Sequence, residues 1–97
     1  MHIIARKALI EFWTRHPDSE QSLRAWYREA SRAQWRTSAD VKQMYGSASI
    51  VNAERVVFNI CGNKYRLIVR FNYGSGVAFV RFFGTHTEYN AIDAETV

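Results

Sequence analysis

The sequence predicts an α+β fold: two N-terminal helices cover one face of a mainly antiparallel β-sheet, and a short helical turn follows the last strand. Three observations carry that expectation. Apolar residues recur at helical spacing in the first half of the chain and at a period of two from Arg55 onward. Two glycine-containing dipeptides, Gly62-Asn63 and Gly74-Ser75, divide the second half into three strand-length runs. Hydrophobic residues make up 47% and aromatic residues 14% of the 97 positions, enough for one compact core and too many for a disordered chain. One domain spanning residues 1–97 is therefore expected.

The elements follow in order. His2-Ile3-Ile4 suits a short strand. Ala5, Ala8, Leu9, Phe12 and Trp13 then recur at helical spacing, with Arg6, Lys7, Glu11 and Arg15 between them, so a first amphipathic helix is expected. Pro17 interrupts it and opens a second helix. The proline ring presets the first φ, and Asp18 and Glu20 stand near the positive end of the helix dipole. Leu23, Trp26, Tyr27 and Ala30 line one face of that helix, while Arg24, Arg28, Glu29 and Arg32 point elsewhere. Thr37 and Asp40 have the spacing of a capping pair and Gly46 suits a helix C-terminus, so residues 37–46 read as a helical turn or a loop.

Arg55 to Ile60, Lys64 to Asn72 and Val77 to Phe83 are rich in Val, Ile, Phe and Tyr and form two consecutive hairpins. A two-residue loop at Gly62-Asn63 pairs Ile60 with Tyr65, Asn59 with Arg66, Phe58 with Leu67 and Val57 with Ile68. A similar loop at Gly74-Ser75 pairs Phe71 with Ala78, Arg70 with Phe79, Val69 with Val80, Ile68 with Arg81 and Leu67 with Phe82. One face then gathers Val56, Phe58, Ile60, Tyr65, Leu67, Val69, Phe71, Ala78, Val80 and Phe82, an apolar surface for the helices to cover. The other gathers Arg55, Asn59, Lys64, Arg66, Arg70 and Arg81, interleaved with Val57, Ile68, Phe79 and Phe83.

Two readings of the second face compete. Antiparallel sheets commonly show one polar face to water. Five cations with no acid among them also suit single-stranded RNA, since guanidinium groups bind phosphates bidentately and aromatic faces stack unpaired bases. The formal net charge of +4 agrees with a polyanion or an acidic partner.

After the last strand, Thr85 and Glu88 have the spacing of a capping box, which places His86 and Tyr89 on one face of a short helix. His86 reads either as a surface residue of the cap or as a group reaching the groove that Arg81 faces. RNA cleavage by the neighbouring 2′-hydroxyl needs a proton acceptor, a proton donor for the leaving 5′-oxygen and cations around the phosphate. Histidine, tyrosine, lysine and arginine suffice, and no metal or other cofactor is called for. Cys61, the lone cysteine, offers no disulfide, redox pair or zinc-ligand set. No apolar run approaches a membrane span and the start lacks a secretion signal, so no membrane association and a cytoplasmic location are expected.

Several blocks together carry a resemblance over nearly the whole chain. They are Met1-His2-Ile3-Ile4 with Arg6-Lys7-Ala8-Leu9 and Phe12-Trp13, Ala25-Trp26-Tyr27, Val56-Val57-Phe58-Asn59-Ile60, Gly62-Asn63-Lys64-Tyr65-Arg66-Leu67, and Arg81 through Tyr89. The chain resembles the HigB-type toxins of bacterial type II toxin–antitoxin modules, within the RelE-like group. That resemblance implies a RelE-like fold and a ribosome-dependent endoribonuclease, an mRNA interferase that cleaves translated mRNA in the ribosomal A site and so inhibits translation. It implies a HigA-like helix-turn-helix antitoxin as partner, the pair repressing its own operon. It also implies roles: Lys64, Arg66 and Arg81 as phosphate-binding or transition-state residues, and His86 and Tyr89 as proton-transfer or base-stacking groups. Asn59 and Arg70 join them as RNA-binding residues from the sheet face. A non-catalytic RNA- or ribosome-binding domain and a protein-interaction module are the competing readings, and cleavage of a translated message separates them.

Overall fold

The computed structural model describes residues 1–4 and 6–97; Ala5, expected on the apolar side of the first helix, lies outside the described residues. The elements run β1 (His2–Ile4), α1 (Arg6–Arg15), a 3-10 turn (Pro17–Ser19), α2 (Glu20–Arg32), α3 (Ser38–Met44), β2 (Ser49–Ile50), β3 (Arg55–Ile60), β4 (Tyr65–Asn72), β5 (Val77–Thr85) and α4 (His86–Asn90). The strands form one five-stranded sheet in the order β1-β5-β4-β3-β2. Among the described residues only β1 is parallel to its neighbour, pairing His2, Ile3 and Ile4 with Val77, Ala78 and Phe79. The fold is the expected α+β arrangement.

The inner face of the sheet is sealed by α1 and α2. Leu9, Leu23 and Trp26 meet Val56, Phe58, Leu67, Val69 and Phe71 in one core from which water is excluded. Trp26 meets the Phe58 ring edge-on at 5.4 Å, and Phe12 stacks on Phe83 at 5.0 Å. Each large apolar side chain enclosed this way contributes about 1.5–3 kcal/mol. Trp35, beyond the end of α2, adds a third aromatic layer against Phe58 and Phe71. The Met1 amino group donates to the carbonyls of Ala30, Ser31 and Ala33 at 3.1, 3.3 and 2.6 Å, placing a positive group at the negative end of α2. That contact ties β1 to the helical layer.

Residues 37–46 resolve into the helix α3, capped by the Thr37 hydroxyl, which accepts from the Asp40 amide. β2 is an addition that the period-two reading did not reach, because two residues are too short to show a period. The first hairpin has the expected register, Ile60 with Tyr65 through Val57 with Ile68. The second keeps it from Phe71–Ala78 to Val69–Val80 and then slips: a bulge between Val69 and Ile68 brings Ile68 opposite Phe82 and Leu67 opposite Phe83. Arg81 is the extra residue. This corrects the expected placement of two rings. Phe83, not Phe82, enters the core beside Phe12, and Phe82 turns to the outer face.

Beyond α4 the chain turns back. The main-chain oxygen of Val97 accepts from Arg55 Nε at 3.2 Å and Arg81 Nε at 3.4 Å, and that of Glu95 accepts from Asn52 Nδ2 at 3.5 Å. Residues 91–97 therefore cross the outer face. Ile92, Ala94 and Val97 are half-buried there, while Asp93 and Glu95 are exposed.

Candidate nucleic-acid interface

The outer face is built by strand alternation: β3 contributes Arg55, Val57 and Asn59, β4 contributes Arg66, Ile68 and Arg70, and β5 contributes Phe79, Phe82 and Gly84. The bulge adds Arg81 without turning it inward, since its Nε bonds the same oxygen as Arg55. Arg55 precedes Val57 by two residues on β3 and Arg81 stands in the β5 bulge opposite the Val69–Ile68 step, so the two guanidinium groups that share this oxygen come from the strands on either side of β4. Val57 and Ile68 are only 3% and 0% exposed although the helices pack on the opposite face, so they are covered from the outer side as well.

Each remaining side chain of this face that was expected to bind RNA has an acceptor. Arg70 Nε donates to Glu54 Oε2 at 2.9 Å, and its guanidinium lies 5.9 Å from the Phe79 ring centre. The hydrogen bond from Arg70 holds the Glu54 carboxyl below the ordinary carboxylate range. Arg66 Nη1 donates weakly to the Asn63 carbonyl at 3.4 Å, and Asn59 Nδ2 donates to the Ser47 carbonyl at 3.1 Å. These contacts use loop carbonyls or one exposed carboxylate, and a phosphate oxygen can replace any of them.

Lys64 stands apart. Gly62-Asn63 are the central residues of the turn Cys61 to Lys64, which is closed by a bond from the Lys64 amide to the Cys61 carbonyl at 3.2 Å. Cys61 and Gly62 have φ of 56° and 65°, and this left-handed pair turns Lys64 away from the outer face. Its ammonium pairs with Asp18 of the 3-10 turn, whose other carboxylate oxygen accepts from the Tyr65 hydroxyl at 2.7 Å. The bonds from Lys64 and then Tyr65 hold the Asp18 carboxyl below its usual range. Lys64 thus sits at the corner where the β3–β4 turn meets the helical layer, not among the guanidinium groups.

The capping box opening α4 is complete: the Thr85 hydroxyl accepts from the Glu88 amide, and the Glu88 carboxylate accepts from the Thr85 amide at 2.9 Å. Glu88 is held below its ordinary range first by that backbone bond. His86 is the first helical residue and is exposed; Tyr89, one turn on, is half-buried. The two share a side of the helix, as the spacing implies. α4 begins beside Arg66, because Gly84 pairs with Arg66 and Thr85 with Tyr65. Arg81 lies four residues before Thr85, about 13 Å back along an extended strand. By register, Arg66 is the sheet guanidinium nearest to His86 and Tyr89, Arg70 stands opposite Arg55, and Arg81 meets Arg55 only through the shared Val97 oxygen.

The face is thus a line of groups: Arg70 and Arg55 at one end, Arg81 in the middle, Arg66 and α4 at the other. The residue that sequence reasoning passed over is Arg55, counted among the cations but given no role. Its link to Arg81 runs through a main-chain oxygen far along the chain, which leaves no side-chain signal. Among the described residues, no group of three or more His, Cys, Asp or Glu side chains could hold a metal ion, and no helix is long and apolar enough to cross a membrane.

Comparison with curated proteins gives no match. A family model does match, over residues 19–92, and it describes the HigB toxin, the RelE-like toxic component of a toxin–antitoxin system. The matched span takes in α2, the whole outer face and α4. The α+β arrangement with its mostly antiparallel five-stranded sheet is consistent with a RelE-like fold, and the chain belongs to the HigB toxin family, the RelE-like toxic components of toxin–antitoxin systems.

Proposed function

We propose that this chain is a ribosome-dependent endoribonuclease that cuts messenger RNA in the ribosomal A site by a metal-independent attack of the 2′-hydroxyl. The observation that supports this most is the line of guanidinium groups on the outer face, interleaved with Phe79 and Phe82 and ending at a helix that carries His86 and Tyr89. The guanidinium groups take phosphate oxygens and the rings take bases. In the cleavage step the 2′-oxygen bonds to phosphorus as the 5′-oxygen leaves, giving a 2′,3′-cyclic phosphate and a 5′-hydroxyl. One proton moves from the 2′-hydroxyl to a base and one from an acid to the 5′-oxygen. His86 and Tyr89 are the proton-transfer or stacking groups in this reading, and Arg81, Arg66 or both stabilise the charge growing on phosphorus. Lys64, Arg70 and Asn59 steer and hold the strand, Lys64 after exchanging Asp18 for a phosphate.

Membership of the family implies an antitoxin partner. We propose a helix-turn-helix protein of HigA type that neutralises the toxin by covering the basic face or blocking its access to the ribosome, opposite potentials guiding the encounter.

The test is single-turnover cleavage of a message programmed into the ribosomal A site, at saturating protein. Arg81→Ala, Arg66→Ala and His86→Ala are each expected to slow cleavage about 100-fold or more, about 2.7 kcal/mol on the barrier, with thermal midpoints unchanged. Wild-type rates in all three would remove the proposed centre. Ribosome binding without any cut by the unaltered chain would replace this reading with a non-catalytic ribosome-binding domain.

A further inference from the structure

Residues 91–97 occupy the middle of the outer face, and the way they do so has a chemical meaning. Arg55 reaches across from β3 and Arg81 from the bulge of β5, and both Nε groups donate to one oxygen, that of Val97, at 3.2 and 3.4 Å. Two guanidinium groups converging on a single oxygen form an anion site, since both present fixed positive charge and N–H donors to the same point. The bulge keeps Arg81 on the outer face as the extra residue of β5 while it brings Phe82 opposite Ile68 on the same face. The outer-face neighbours Val57 and Ile68 on the adjoining strands are dry, which lowers the local dielectric and strengthens any charge-assisted bond made beside them. The cover itself is light. It rests on three long side-chain bonds to main-chain oxygens and on the half-buried Ile92, Ala94 and Val97.

We infer that Arg55 and Arg81 form a binding site for one phosphodiester oxygen of single-stranded RNA, and that segment 91–97 is its built-in competitor, which must lift off before RNA seats. The inference rests on the outer face being the RNA-binding face and adds to it a residue, Arg55, and a restraint on affinity. The observed affinity is the affinity of the open form multiplied by the fraction of molecules that are open. Loosening the segment therefore tightens RNA binding. Arg55 serves both states: replacing it weakens the open complex and also frees the segment, so its loss is partly hidden while the segment is intact.

The experiment is a double-mutant cycle with a short fluorescein-labelled 2′-O-methyl oligouridylate, which binds but lacks the hydroxyl needed for cleavage, followed by anisotropy. The double variant Ile92→Ser with Val97→Ser loosens the segment and keeps Asp93 and Glu95, so net charge is unchanged. It is expected to bind about tenfold more tightly than the unaltered chain, and Arg55→Gln is expected to cost several-fold more in the loosened background than in the unaltered one. An unchanged affinity on loosening, or equal losses from Arg55→Gln in both backgrounds, overturns the inference. A second measurement needs no variant: on saturation of the unaltered protein with the probe, the backbone NMR resonances of residues 95–97 should narrow to those of a mobile chain, and resonances that stay as in the free protein refute displacement. Because the probe cannot be cut, this outcome is separate from the ribosomal assay. Success here with no cleavage there leaves the phosphate site standing and removes the nuclease; cleavage with no coupling here does the reverse.

Discussion

The two faces of the same sheet are held in opposite ways. On the inner face, Phe58, Leu67, Val69 and Phe71 have neighbours fixed by volume, and nothing but another side chain of the same shape can replace them. On the outer face, Arg55, Arg66, Arg70 and Arg81 have neighbours fixed by hydrogen bonds to carbonyls or one exposed carboxylate, and a phosphate can replace every one of those acceptors. One pleated ribbon thus carries a permanent interface and an exchangeable one, separated only by residue parity. In the proposed function stability belongs to the first and binding to the second, and substitutions can test how cleanly the two divide.

The largest effect should come from the inner face. Leu67→Ala removes a side chain with 0% exposure and leaves a cavity, which should cost about 2–5 kcal/mol in denaturant unfolding while RNA affinity of the folded protein stays the same. A loss under about 0.5 kcal/mol would mean that the helical cover is not what holds the sheet. Gly84→Ala probes the one crowded point of the outer face. A Cβ there would stand 2.8 Å from Phe82 Cζ and 3.0 Å from Glu88 Oε1, so the ring and the capping carboxylate must both move. The expected cost is about 1–3 kcal/mol, read as a lower thermal midpoint together with weaker RNA binding; a neutral result would show that Phe82 swings freely.

Thr85→Ala is smaller, about 1 kcal/mol, since it removes one side-chain acceptor from the start of α4. It should lower cleavage more than stability if α4 carries the chemistry, and both equally if it does not. The smallest effect is in the pH dependence. The Asp18 carboxyl has its pKa depressed in the folded protein, so its contribution is present above the unfolded value near 4 and is lost as pH falls through the folded value. Asp18→Asn should lie below the unaltered protein in thermal midpoint at pH 7 and converge with it well below pH 4. A constant gap across that range would mean that Asp18 acts by packing alone.

Most of the fold was legible because each element announces itself locally. The switch of period at Arg55, the glycine turn at Gly62-Asn63 and the Thr85–Glu88 capping box each imply one geometry, and each is present. The bulge was not legible, because Val80-Arg81-Phe82-Phe83 places an apolar residue at both parities and alternation cannot choose between them. Lys64 was misplaced for a related reason: two left-handed residues in the turn are a matter of two dihedral angles, and no pattern of side chains reports them. Arg66, Arg70, Arg81 and Asn59 do lie on the outer face, but their partners come from Glu54, Asn63, Ser47 and Val97, which only the folded chain brings near.

The parallel pairing of β1 with β5 also governs when the molecule can exist. β1 leaves the ribosome long before Val77, Ala78 and Phe79 have been made, and at about 5–20 residues per second it waits some seconds for its partner. Contacts between distant parts of a chain form late, because the entropy of closing the intervening loop must be met first. The strand that completes the sheet is also the strand that carries Arg81 and leads into His86. A nascent chain of this toxin family therefore has no assembled outer face while most of it is still being translated. The outer face is complete only once β5 has been synthesised and paired, so it is a property of the finished chain.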